Sequence, residues 1–239
     1  MNLSRRHFLR TASAISLGFT GLQNLLTQHG YAASKSPNIP YGFGDLIPDP
    51  DQILDLPAGF SYQIISRRFD RMDDGFYVPA GHDGMAAFPG PSGKTILVRN
   101  HEVAEITASN GPFGHGNEEL ERLPPYLLYD GGTGSGPSLG GTTTLLYDTK
   151  RRRLERHYLS LAGTVRNCAG GPTPWNTWIS CEETTLLADE LHEKDHGYNF
   201  EVRAKLGKAP VDPQPLREMG RFNHRGGGDR PEERCCLRN

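Results

Sequence analysis

Arg166-Asn167-Cys168-Ala169-Gly170-Gly171-Pro172-Thr173-Pro174-Trp175, continued by Asn176-Thr177-Trp178-Ile179-Ser180-Cys181-Glu182-Glu183, is the stretch on which the reading of this chain turns. Gly170 and Gly171 permit close backbone approach, and Pro172 and Pro174 stiffen the residues after them. The run therefore reads as a Gly/Pro-rich loop carrying the Cys168 thiol. Thr177-Trp178-Ile179 reads as a short strand that delivers Cys181, Glu182 and Glu183 to its exit. A soft sulfur ligand on a loop and hard carboxylates at a strand end suit a site for more than one kind of metal. A plainer reading stands beside it, in which Cys168 and Cys181 form a disulfide or are two buried thiols.

Working outward, Lys94-Thr95-Ile96-Leu97-Val98-Arg99 is a strongly apolar strand ending in Asn100-His101-Glu102. A buried strand with a polar end is a common way to aim ligands into a pocket. Thr142 to Tyr147 and Leu154 to Leu161 read as a hairpin turning at Asp148-Thr149-Lys150, and Gly197 to Val202 as another strand. Ser61 to Ser66, after Leu56-Pro57-Ala58-Gly59-Phe60, has strand composition too. Lys150 to Arg153 reads as a solvated basic tip that protects a strand edge.

Phe69 to Gly84 gathers Asp70, Asp73, Asp74, His82 and Asp83 without the tight rhythm of a calcium loop, and reads as a solvated loop. Asn117 to Leu123 reads as one short helix stopped by Pro124-Pro125. The Gly-rich run from Asp130 to Gly141 lacks the Gly-Lys-Ser/Thr closure of a phosphate loop and precedes a strand, so it reads as the approach to a hairpin. His192 and His196 are spaced as on one helix face, but no third ligand accompanies them and Asp195-His196-Gly197 looks like a loop.

The composition agrees with many short strands. The chain has 239 residues with 29 Gly and 18 Pro, about a fifth of the total and well above ordinary usage. A formal charge of −2 gives no reason to expect a nucleic-acid partner.

At the N-terminus, Ser4-Arg5-Arg6-His7-Phe8-Leu9 is a twin-arginine motif, followed by an uncharged run from Ala12 to Leu26. Gly30-Tyr31-Ala32 then offers a cleavage site after Ala32. Residues 1–32 are thus expected to be a leader read by the Tat export machinery, giving a periplasmic or secreted protein. The apolar run is too short and polar for a stable membrane span. Cleavage would remove Arg5, Arg6 and Arg10 and no acidic residue, leaving a more acidic mature chain.

The Arg166–Trp175 run with Trp178-Ile179-Ser180-Cys181-Glu182-Glu183 resembles the PhoX family of exported alkaline phosphatases. The Pro-x-Gly-Phe entry at Pro57, the Arg99-Asn100-His101-Glu102 ending and Glu218-Met219-Gly220-Arg221-Phe222-Asn223-His224 resemble it as well. The resemblance implies an all-β, β-propeller fold with an iron and calcium site, and hydrolysis of phosphate monoesters. It places Cys168 as the thiolate ligand of iron, with Glu183 and Glu102 as metal carboxylates; His101 is expected to orient or pack.

The resemblance runs from about Tyr41 to His224 and covers only the first part of the family pattern. Arg225 stands where the family has a glutamate. Residues 225–239 have no alternating apolar pattern and read as a disordered tail outside the family. A frame shifted after His224, or a truncated gene, explains both. Residues 33–224 are then the N-terminal part of an incomplete propeller, with about six to eight strands, roughly two blades' worth. Two other readings remain open: a non-catalytic exported β-rich fragment or pseudoenzyme that binds a metal or a partner, and a secreted domain held by a Cys168–Cys181 disulfide.

Overall fold

A computed structural model describes residues 43–104, 107–134, 136–207 and 209–223. The twin-arginine leader and the 225–239 tail lie outside the described residues. The chain divides into two compact units, Met1–Gln63 and Ile64–Asn239.

In the first unit, β1 (Leu46–Ile47) pairs antiparallel with β2 (Leu56–Pro57). The connecting loop winds round one carboxylate. Asp49 accepts the Tyr62 hydroxyl at 2.7 Å and the N–H groups of Asp51, Ile53 and Leu54. The Tyr62 bond first, and then the backbone donors, hold the Asp49 carboxyl down at about 2. Ser61 to Ser66 belongs to no strand. Among the described residues it pairs with no strand, so β-type composition alone does not make it one.

The second unit is all-β among the described residues, with short 3-10 turns and no α-helix. The helix expected over Asn117 to Leu123 shrinks to one 3-10 turn at Leu120–Arg122, closed by Pro124 and Pro125. Four strands form one antiparallel meander: β3 (His82–Pro89), β4 (Thr95–His101), β5 (Gly140–Asp148) and β6 (Arg153–Thr164). Three more form a second: β7 (Asn167–Pro172), β8 (Thr177–Glu182) and β9 (Asn199–Arg203).

The β5–β6 hairpin turns as its sequence requires, with Asp148 accepting the N–H groups of Lys150 and Arg151. Two stretches read as loops are in strands: His82 to Gly84 opens a strand, His82–Pro89, that pairs with β4, and Asn167 to Pro172 pairs with β8. The second case moves Cys168 from a loop to a strand. The Gly/Pro run still leaves its mark, because the β7–β8 register shifts between Asn167 and Gly170.

Alternation along β4 joins the two sheets. Ile96 and Val98 enter a core shared with Trp178, Phe200 and Val202 of the second sheet, together with Leu146 and Leu161. A second core gathers Met72, Phe76, Val78, Phe113, Leu127 and Leu139 with Leu159 and Ala162. Leu159 and Leu161 serve different cores although two residues apart, because the β5–β6 register shifts between Thr142 and Thr143. The acidic loop at Asp73-Asp74 covers the outer edge of β6: Asp73 accepts the N–H of His157 at 2.7 Å, and Asp74 that of Leu159 at 2.6 Å. Its carboxylates satisfy a strand edge instead of a metal.

Candidate functional site

Glu102 leaves the end of β4. Its N–H donates to the Gly81 carbonyl at 2.7 Å. Gly81 has φ +58°, and a side chain there would press to 2.4 Å from the Glu102 oxygen. Only glycine accommodates both demands. Glu183 leaves the end of β8 and forms a bridge with Asn223. Between the two comes the β6–β7 turn, whose Arg166 takes φ +50°.

Arg166 ties these segments together. Its N–H donates to the Val103 carbonyl, and its own carbonyl accepts the Glu183 N–H at 2.8 Å. Its Nη2 lies 3.3 Å from Glu102 Oε1 and 3.1 Å from Glu183 Oε2. Two of the carboxylates singled out in the sequence thus converge on one guanidinium. The Arg166 side chain is 41% exposed and that of Glu183 15%, so solvent weakens the pairing without abolishing it.

Cys168 is buried, on β7. It is not bonded to Cys181, so the disulfide reading does not hold in this structure. Its backbone is fixed from two sides. Asn100 Nδ2 donates to the carbonyls of Cys168 and Ala169 at 3.1 and 2.8 Å. Gly84 of β3 runs so close that a Cβ would meet the Cys168 oxygen at 2.5 Å. The other end of the Asn100 amide accepts Trp178 Nε1–H and the Ser180 hydroxyl, both at 2.8 Å. Both donors and the carbonyl oxygen of this fully buried amide are therefore used.

Among the described residues, no group of three or more His, Cys, Asp and Glu side chains is gathered as a metal cage. The Glu102 and Glu183 carboxylates hold Arg166. As arranged, these residues do not fit a metal ion.

His101 packs and orients, as expected from its place after Asn100. A carbonyl can only accept, so Nδ1 carries the proton it gives to Ala80 at 2.9 Å, and Nε2 meets the Thr143 hydroxyl at 2.8 Å. Burial, and then the Arg99 charge, push the ring well below its ordinary value, so it is neutral.

Behind Glu183 lies a buried charged cluster that the sequence did not single out. His196 Nδ1 is 2.7 Å from Glu182 Oε1, and its Nε2 is 2.9 Å from Asp130 Oδ2. All three side chains are fully buried. Both ring nitrogens face carboxylates, so both must donate and the ring is an imidazolium. Burial alone would depress the imidazole; the Asp130 and Glu182 carboxylates outweigh it and raise it to about 9. Asp130 is itself held below its ordinary value: burial opposes this, but His196 and the Gly132 and Glu193 N–H groups prevail. His192 packs edge-on against His196 and pairs with Asp189 at 2.9 Å, in a loop as the sequence suggested. The signal for Glu182 was period two: next to Glu183 at a strand end, it must point the other way.

No helix among the described residues is long and apolar enough to cross a membrane. The family model described as "Alkaline phosphatase PhoX" matches residues 41–123 and 135–227. Comparison with curated proteins and with solved structures gave no match.

Proposed function

Because the chain belongs to the PhoX alkaline phosphatase family, we propose that it is an exported phosphomonoesterase whose site is built around Glu102, Arg166, Cys168 and Glu183. The observation that carries this reading is the meeting of Glu102 and Glu183 on Arg166. Three segments distant in sequence converge there on one partly open cation. A planar guanidinium matches phosphate oxygens in pairs, and Arg166 is the group we assign to grip the substrate's phosphate. Glu102 and Glu183 hold it in place until then.

Iron and calcium, which the resemblance implies with Cys168, Glu183 and Glu102 as their ligands, do not fit these residues as they are arranged. Since Arg166 stands between the two carboxylates, no chemical step is assigned to the metals. Export by the twin-arginine route, with residues 1–32 as leader, completes the reading. So does a propeller of which residues 33–224 form the N-terminal part, the family match ending just beyond them at 227. The succession of a four-stranded and a three-stranded meander supports that architecture, since propeller blades are antiparallel meanders in chain order.

A second reading is favoured by the same ion pairs. If Arg166 permanently neutralises the acidic pair, the chain is a non-catalytic exported β-rich fragment or pseudoenzyme. Turnover of p-nitrophenyl phosphate by the folded full chain, with iron and calcium added, separates the two. Phosphate release by the parent chain is expected. A folded chain that retains neither metal and releases no phosphate would sink the phosphatase reading.

A further inference from the structure

The Asp130–His196–Glu182 cluster does more than fill the interior. Glu182 Oε1 accepts the Val165 N–H at 2.8 Å, and Oε2 accepts the N–H groups of Gly197 and Tyr198 at 2.6 and 3.1 Å. One carboxylate therefore binds the residue before Arg166 and the two residues after His196. Asp130 gathers the Gly132 and Glu193 N–H groups at 2.7 and 3.1 Å. His196 joins the two carboxylates, and with them the Asp130 loop, the β6–β7 turn and the loop from Thr184 to Gly197. Arg221 closes that loop from outside, donating to the carbonyls of His196, Thr185 and Leu186.

We propose that His196 is a positioning residue: by bridging Asp130 to Glu182 it sets the β6–β7 turn, and through it the Arg166 guanidinium and the Glu183 carboxylate. The catalytic part of this assignment rests on the phosphatase reading above; the geometric part does not. The chain of contacts is short. Glu182 fixes Val165, Arg166 follows it at φ +50°, and the Arg166 carbonyl holds the Glu183 N–H at 2.8 Å. Both Glu183 and the group it pairs with are thus placed by the residues beside them. An imidazolium is suited to this work. Each of its two N–H groups makes a charge-assisted bond to a carboxylate, in a site closed to solvent. The surrounding rings, Tyr129 and His192, lie edge-on to it at 5.4 Å and leave both N–H groups to the carboxylates.

Amide hydrogen exchange on the full chain tests this without relying on activity. In His196→Ala, the amides of Val165, Glu183, Gly197 and Tyr198 should exchange at least about tenfold faster, as expected for losing a charge-assisted bond. Those of the β4–β5 ladder, such as Val98 and Thr144, should keep their rates. His196→Gln, which retains one donor, should recover part of the protection. Asp130→Asn keeps an acceptor while removing a charge, and should give an intermediate result even if the alanine variant does not fold. In the same preparations kcat for p-nitrophenyl phosphate should fall by about tenfold or more while KM moves much less. Unchanged exchange at Val165 and Glu183 overturns the proposal, as does a uniform loss that includes the β4–β5 ladder. If the parent chain turns over no phosphate ester, the phosphatase reading fails and exchange alone decides the clamp.

Discussion

Trp178 Nε1–H donates to Asn100 Oδ1 at 2.8 Å, and the bond runs from one sheet to the other. With the Ser180 hydroxyl on the same oxygen and two β7 carbonyls on its nitrogen, Asn100 is a polar pin between the sheets, beside their shared apolar core. Replacing it by Ala would strand two buried donors, one buried acceptor and one partly buried acceptor. We expect Asn100→Ala to lower unfolding free energy by about 3 kcal/mol or more, read as a lower denaturation midpoint in urea. Asn100→Asp should also destabilise, since it turns a donor into an oxygen facing the Cys168 and Ala169 carbonyls. A loss below about 1 kcal/mol in the alanine variant would show that the interface does not depend on this amide.

Arg166 separates stability from function. Its ion pairs are partly exposed, so Arg166→Met should cost less than about 1 kcal/mol of stability. Phosphomonoester turnover, if the guanidinium grips the substrate, should drop by about a hundredfold. The bared carboxylates should then attract cations more strongly, and calorimetric titration should show tighter calcium binding than in the parent. Equal turnover in parent and variant would remove Arg166 from the substrate site.

The buried imidazolium sets a pH window. The folded-state value of His196 is raised to about 9, above an unfolded value near ~6.5. Its contribution is therefore complete below the unfolded value, shrinks as pH rises between the two, and is lost once pH passes the folded value. Thermal melts from about pH 6 to about pH 10 should show a falling melting temperature over that interval, and His196→Gln should flatten the fall. A parent curve as flat as the variant's would mean that the ring is not charged in the folded chain.

Cys168→Ala tests the thiolate assignment. Only a sulfur is removed from a small buried side chain, so the fold should survive with a loss of about 1–2 kcal/mol. Because the residues as arranged do not fit a metal ion, phosphatase activity should survive in the variant; its loss together with iron-dependent visible absorption would instead support the thiolate ligand that the resemblance implies. Full activity without iron in that variant would end the assignment of Cys168 as a ligand.

How much of this was legible in the sequence followed from where the physics is local. β4, the β5–β6 hairpin, β8 and β9 announce themselves by β-branched and aromatic residues with a turn-forming Asp148. β3 does not, because His82-Asp83-Gly84 looks like a loop and Met85-Ala86-Ala87 has little β-preference; its pairing with β4 makes it a strand. β7 was hidden by its glycines and proline. Glu102 and Glu183 stood out as strand-end carboxylates, and the structure brings both to Arg166. The buried charge of His196 was invisible because its partners come from Asp130 and Glu182, and only the folded backbone brings these three together.

The close passage of Gly84 beneath the Cys168 carbonyl has a consequence for variation at that site. With a Cβ only 2.5 Å from that oxygen, even the smallest side chain would have to wedge β3 away from β7. The wedge would slacken the Asn100 pin from the other side. A single methyl group at residue 84 should therefore disturb the sulfur's surroundings as surely as a change beside it.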